Sequence, residues 1–442
     1  MAGPSAMAMK IEILAEDIIK PSSPTPHHLR NFQFSLLDQL VPSIYTPLLL
    51  FYPGPTCTNL DHPPKSNPSS RSLQLKTSLS KLLVPFYPFA GRINGNASIE
   101  CNDDGVPFLE VRIKCSLLDL LKKPEAGTMR TFLPVQVESK ESSTIPLLIQ
   151  VSFFSCGGMA IGICASHKIT DASTLSTFIH GWANKSSVSD KTPVAPEFVI
   201  SSLFPPCDSL TTLAIELIPE NDCVTRRYVF GASSIATLKN KAEKDDTVQP
   251  TRVEAVSALL WKCATAAASK KRPSVMTQIV NMRKRFIPAL AEHSVGNFSG
   301  YFLVENNNGN EMELHSLVGK LKRGMKEFCG DYVMRLQGKE GSETLKESFK
   351  ESGKMFIRDD IELYNFSSWC GFRLYDADFG WGKPAWASIA SWPYKNVVVL
   401  MDTKEGDGIE AWVNLKEEEM LVLERDPMLL AFACPNPIVL SS

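Results

Sequence analysis

The sequence has no surplus of charge of either sign: 46 lysines and arginines stand against 48 aspartates and glutamates, a net of −2 over 442 residues. Overall charge therefore does not draw this chain to phosphate polymers or anionic lipid, so nucleic acid and membrane surfaces are not expected as partners. Long apolar runs are missing too. The longest, around Pro47 to Tyr52, falls far short of the roughly 20 residues that cross a bilayer. Met1 to Glu12 shows no apolar core followed by a small-residue cleavage site, so a cytoplasmic location is expected. Eleven cysteines, an odd number without any C-x-x-C pair, give neither a disulfide framework nor a zinc spacing, and no metal is expected.

The familiar catalytic signatures are equally scarce. No G-x-G-x-x-G follows a strand, no Gly-Lys is followed by Ser or Thr, and neither G-x-S-x-G nor H-E-x-x-H occurs. Dinucleotide enzymes, P-loop enzymes, serine hydrolases and zincins lose support accordingly. Asp378-Phe379-Gly380 matches the kinase metal-binding tripeptide, but no H-R-D loop and no glycine-rich nucleotide loop accompany it.

What is present is an ordinary globular composition, 44% hydrophobic and 21% charged, long enough for two domains. Leu73, Leu75, Leu79 and Leu82 predict an amphipathic helix over Ser69 to Leu83, stopped by Pro85. Asn102-Asp103-Asp104-Gly105 reads as the turn of a hairpin within Ala97 to Cys115, and Pro146 to Phe154 pairs with Met159 to Ser166 across Ser155 to Gly158. The polar, proline-containing stretch Asn184 to Ser209 suggests the domain boundary, giving domains 1–190 and 210–442 with a linker at 191–209. Strands are expected at Thr225 to Phe230, Thr277 to Met282, Val397 to Met401 and Gly408 to Val413. Helices are expected at Ala232 to Lys244, Arg252 to Lys270, within Met312 to Phe356, and at Leu415 to Ala433. The class is mixed α/β.

Three segments carry chemical interest. In His167-Lys168-Ile169-Thr170-Asp171, the histidine shares strand parity with Met159, Ile161, Ile163 and Ala165, and so ends one strand face. Asp171 then stands at a helix cap, because Leu175, Phe178, Ile179 and Trp182 follow at helical spacing. For this segment alone, a hydrogen-bonded core histidine with a capping aspartate is favoured over a catalytic imidazole. Asp378-Phe379-Gly380-Trp381-Gly382 reads as a tight turn around buried rings, and Ser367-Ser368-Trp369-Cys370 offers hydroxyl and indole donors.

Together, in this order and at these separations, the H-x-x-x-D and D-F-G-W-G segments resemble those of the plant BAHD coenzyme A-dependent acyltransferases. Phe86-Tyr87-Pro88-Phe89-Ala90-Gly91-Arg92, Leu37-Asp38-Gln39, and Gly406-Asp407-Gly408-Ile409-Glu410-Ala411-Trp412 extend the likeness, to the vinorine synthase-like acetyltransferase branch, over nearly the full length. The resemblance implies two similar-sized domains of the chloramphenicol acetyltransferase-like fold, each a mixed sheet with flanking helices, and an active-site channel between them. It implies direct acetyl transfer from acetyl-CoA, a co-substrate rather than a tightly bound cofactor, to a hydroxyl of a bulky alkaloid or terpenoid alcohol, in a monomer.

The resemblance makes His167 the general base, a role that suits an imidazole, whose unperturbed pKa of about 6.5 allows proton transfer at neutral pH. The resemblance also implies that Asp171 is structural, with Arg283 as its candidate partner, that Ser367 and Trp369 address the oxyanion, and that Asn297 lines the channel. By the same resemblance the Asp378 turn is expected to hold domain geometry near the coenzyme A entrance, and Thr251, Arg252 and Lys262 are candidates for coenzyme A contacts. Ser294-Val295-Gly296-Asn297 lacks the motif of the malonyl-transferring branch, which favours acetyl. An aromatic or other acyl-CoA donor, or a non-catalytic binding member of the fold, remains the alternative.

Overall fold

A computed structural model describes residues 9–54, 67–140, 143–187, 195–207, 219–220, 222–243, 249–306 and 313–440. Two large mixed sheets organise them. The first has six strands in the spatial order Ile11–Ile19, Val106–Ile113, Leu147–Phe154, Met159–Ser166, Tyr45–Tyr52 and Trp386–Ser388. The second has seven: Ser299–Asn306, Ser274–Asn281, Glu362–Ser368, Val397–Asp402, Ile409–Lys416, Cys223–Phe230 and Cys434–Pro435. All eight residues of Met159–Ser166 are buried, as in a strand covered on both faces, and it forms the expected antiparallel pair with Leu147–Phe154. Segments cross between the two bodies in both directions. Trp386–Ser388 returns from the C-terminal part of the chain to pair with Tyr45–Tyr52, while Leu36, Leu37 and Leu40 pack into the second core.

The helix Pro68–Leu82 starts where Asn67 accepts from the Ser70 N–H and Pro68 occupies the first turn. Its Leu75, Leu79 and Leu82 are buried as the spacing predicts, whereas Leu73 is exposed. It packs against the helix Ala172–Ser186, which buries Leu175, Phe178, Ile179 and Trp182. In the second body Arg252–Ala267 is the central helix, opened by a reciprocal capping box between Thr251 and Glu254.

Two sequence expectations need correction. Ala97 to Cys115 is not a hairpin: Ser98–Glu100 pairs with Asn31–Gln33 and Arg92–Asn94 in a small third sheet, while Val106–Ile113 belongs to the six-stranded one. The Asn102 to Gly105 segment is a bridge between sheets, and Asp103 is anchored there by the Thr25 N–H and hydroxyl. The last helix is broken. Strand geometry continues to Lys416, and two short helices follow, Glu417–Leu423 and Pro427–Leu430, because Asp426-Pro427 restarts the helix. Several strands had no clear signal. Ile11–Ile19 exposes Ile11, Ile13, Leu14 and Ile18 at a sheet edge and so shows no alternation, and Tyr45–Tyr52 holds Pro47 at a point where the strand has a partner on one side only. Parts of the 191–209 segment, residues 191–194 and 208–209, lie outside the described residues.

Candidate active site

His167 is the first residue beyond the strand Met159–Ser166, and its N–H donates to the Ile44 carbonyl at 2.8 Å. Its ring lines a cavity between the two sheets. On the opposite wall the pleat of the seven-stranded sheet sets two rows of side chains toward the cavity: Thr277, Asn365 and Val397 in one, Tyr301, Ile279, Ser367 and Val399 in the other. Leu37, Leu40, Val41, Pro42 and Ile44 close the near side, so the walls are chiefly apolar with a few fixed polar groups.

The imidazole is held by hydrogen bonds that decide its tautomer. Asn297 Nδ2 donates to the His167 carbonyl at 2.6 Å and to Asp38 Oδ1 at 2.9 Å, which turns Asn297 Oδ1 toward His167 Nδ1 at 3.1 Å. Nδ1 therefore carries the hydrogen and Nε2 keeps its lone pair. Burial lowers the His167 pKa below its ordinary value, opposed by hydrogen bonding to its own backbone, by the Asp171 charge and by Asn297. A neutral imidazole at neutral pH is the result.

Asp171 faces away from that ring nitrogen. Its carboxylate caps the helix Ala172–Ser186 by accepting from the Thr174 N–H at 2.8 Å, and it also accepts from the Phe298 N–H at 3.0 Å. Arg283, fully buried, donates to both carboxylate oxygens at 2.7 and 3.2 Å and to the carbonyls of Ser294 and Gly296. Burial alone would raise the Asp171 pKa; Arg283 and the two backbone N–H groups outweigh it, and the net direction is down. The pair joins the His167 turn to the loop 294–298 that carries Asn297.

Comparisons with known proteins agree with this arrangement. The model of the transferase family matches residues 9–430. Epi-neemfruitin B 7-O-acetyltransferase of Melia azedarach is 39% identical, over 97% of this chain and 99% of that one. Stemmadenine O-acetyltransferase of Catharanthus roseus is 38% identical over 95% and 97%. The crystal structure of vinorine synthase superposes with a TM-score of 0.84 at 34% identity, covering 98% of this chain and all of that one.

The chain belongs to the plant BAHD acyltransferase family.

As an acyltransferase of this family it keeps its second motif away from the cavity. Asp378 Oδ1 accepts from the N–H groups of Gly380 and Gly382 at 2.8 and 2.9 Å, and both glycines have φ near +105°, which a side chain would strain. Phe379 is buried among Tyr52, Trp182 and Trp381, and its carbonyl accepts from Gln74 and Ser186. The turn is thus bolted to the first body, and none of Asp378, Phe379, Gly380, Trp381 or Gly382 lines either opening of the cavity.

A second opening adjoins the first, sharing Ser173, Ile279, Asn281, Ser368 and Phe372 with it, and carries Thr251, His180, Lys284, Arg285 and Arg373. Of the residues expected to meet coenzyme A, only Thr251 is there. Arg252 is committed to Asp402 at 2.9 Å and to the carbonyls of Gly406 and Gly408, and Lys262, three turns along the same helix, lines neither opening. Ser367, Trp369 and Asn297 do line the cavity with His167. Sequence reasoning assigned no part to Asp38, although Ser35-x-x-Asp38 has capping-box spacing and Asp38 is the buried group behind Asn297. Among the described residues no helix is long and apolar enough to cross a membrane.

Proposed function

We propose that this acyltransferase moves an acetyl group from acetyl-CoA directly to a hydroxyl of a bulky, largely apolar secondary metabolite, an alkaloid or terpenoid alcohol, with His167 as general base. The observation that carries the reading is the fixed imidazole: Nδ1 bonded to Asn297, Nε2 left as acceptor in a cavity with two adjoining openings. The acceptor alcohol occupies the apolar part, and coenzyme A enters past Lys284, Arg285 and Arg373; the exposed Lys284 and Arg373 can exchange their partners Glu292 and Asp376 for its phosphates.

Nε2 takes the hydroxyl proton as the oxygen attacks the thioester carbonyl carbon. The resulting oxyanion meets the Ser367 hydroxyl and the Trp369 indole N–H. Collapse expels the coenzyme A thiolate, which takes the proton back from His167, so no covalent enzyme ester forms. The acetyl and acceptor assignments are supported by the names of relatives at 36–39% identity, O-acetyltransferases and vinorine synthase.

Purified wild type and His167→Ala, incubated with isotope-labelled acetyl-CoA and a mixture of plant alkaloid and terpenoid alcohols, test the proposal by mass spectrometry. Labelled ester from wild type alone is the expected result. Labelled acetyl trapped on the protein in the absence of acceptor would overturn the direct mechanism, and preferential use of an aromatic acyl-CoA in competition would overturn the donor.

A further inference from the structure

We propose that Asp38 is a positioning residue for this transfer: its carboxylate fixes the Asn297 amide, and through it the His167 tautomer that leaves Nε2 free to accept a proton. The proposal rests on the reading of His167 as the base.

Asp38 lies on the five-residue helix Leu36–Leu40 and is 2% exposed. Oδ2 accepts from the Ser35 N–H at 2.9 Å and its hydroxyl at 2.6 Å, and Oδ1 accepts from Asn297 N at 2.8 Å and Nδ2 at 2.9 Å. Among the described residues no cation forms a salt bridge with the carboxylate, although the buried Lys168 ammonium beside the Asp38 carbonyl interacts with it electrostatically. Burial pushes its pKa up against those four donors. A buried carboxylate is costly, and the capping box of so short a helix does not require a charge at its third position, since a neutral amide oxygen there could accept from the same Ser35 N–H. The charge needs another reason.

The chemistry of acceptors supplies it. An ionised carboxylate only accepts, so Asn297 can turn only its NH₂ toward Asp38 and must present Oδ1 to the ring. The His167 carbonyl, also acceptor-only, reinforces the choice at 2.6 Å. A neutral side chain at position 38 would remove one of these two constraints. The amide could then flip, place Nδ2 against His167 Nδ1 and favour the tautomer protonated on Nε2, which cannot act as a base.

The next residue in the chain holds the same helix from its other end. Lys168, buried, donates from Nζ to the carbonyls of Asp38, Gln39 and Val41 at 3.4, 3.2 and 2.6 Å, and to Asn96 Oδ1 at 2.7 Å. Consecutive residues 167 and 168 thus clasp Leu36–Leu40 at two places, one through Asn297 and one directly. The helix is a fixed reference for the imidazole.

The test combines kinetics with nitrogen NMR of the imidazole in the full-length protein. Wild type at neutral pH is expected to show the Nδ1–H tautomer, and a dominant Nε2–H form would overturn the proposal without any variant being made. Asp38→Asn should show a mixture of tautomers and a kcat lower by about tenfold, with both KM values within about twofold. In an Asn297→Ala background the same substitution should have no further effect on kcat, because the link it acts through is gone. An Asp38→Asn protein that folds with wild-type tautomer and kcat, or an undiminished effect in the Asn297→Ala background, would overturn it. If Asp38→Asn does not fold, Asn297→Ala alone must release the tautomer, and its failure to do so would be equally fatal. The NMR arm needs no substrate, so an absence of acetyl transfer would count against the proposed function and leave the tautomer result to be judged separately.

Discussion

The two turns that mark this family are built alike and serve different ends. Each is organised by an aspartate that accepts backbone N–H groups: Asp171 from Thr174 and Phe298, Asp378 from Gly380 and Gly382. Asp171 is buried, paired with a fully buried arginine and hydrogen-bonded directly to the loop that carries Asn297. Asp378 is partly exposed and its turn is fastened by aromatic packing to the first body. The difference teaches that a shared local device, a carboxylate closing a turn, takes its importance from what the turn carries. Only the first carries a group that lines the cavity.

The largest effect should come from the group itself. His167→Ala removes the proton acceptor and is expected to lower kcat by about 10²- to 10⁴-fold with little change in melting temperature, while no substitution in the Asp378 turn should approach that. Steady-state rates beside thermal melts check it. A folded His167→Ala protein with wild-type turnover would end the argument for base catalysis.

Next is the support beneath it. Asp171→Asn leaves the Arg283 guanidinium buried without its counter-charge, and losing one partner of such a pair costs about 3–5 kcal/mol. The lower end is expected here, because Arg283 keeps the carbonyls of Ser294 and Gly296 and the Thr174 hydroxyl. Denaturant unfolding measures the loss. Activity should fall as well, since the loop bearing Asn297 is tied down by this pair.

The acid limb of the rate profile sharpens the contrast further. His167 must be neutral to accept a proton, and burial lowers its pKa, so activity is present above that lowered value and is lost as pH falls through it. A pH profile of kcat/KM should therefore be flat near neutrality and drop about tenfold per pH unit on the acid side, with its midpoint below about 6.5. A midpoint above 7 would mean that charge, rather than burial, dominates at His167.

Much of this was legible in the residues. The strand, turn and capped helix around His167 followed from parity and helical spacing, and the Asp378 turn followed from two glycines among aromatics. What the sequence concealed was non-local. Asp38 and Asn297 meet through hydrogen bonds spanning 259 positions, and no periodicity encodes that. Arg252 read as a cation for coenzyme A, but Asp402 at the end of its strand and the carbonyls of Gly406 and Gly408 hold it. The false hairpin at Ala97 to Cys115 had plausible turn chemistry, but Ser98–Glu100 found its partners in Asn31–Gln33 and Arg92–Asn94, a choice made by tertiary packing.

The smallest effect should be at Asp378. Replacing it with alanine removes one oxygen that accepts from two N–H groups, and both donors belong to exposed glycines, so water can take over much of the bonding. The cost should be about 1–2 kcal/mol, as for lost hydrogen bonds whose partners are not left dry. The rest of the anchorage survives: Tyr52 still donates to the Ala377 carbonyl at 2.8 Å, Gln74 and Ser186 still donate to Phe379, and the Phe379 ring stays among Tyr52, Trp182 and Trp381. With the aromatic plug in place the two bodies keep their relation, and kcat of the folded protein should stay within about twofold of wild type. A tenfold or greater loss of kcat without loss of stability would mean that the turn acts on the reacting groups across the first body, and the division of labour between the two aspartates would have to be redrawn.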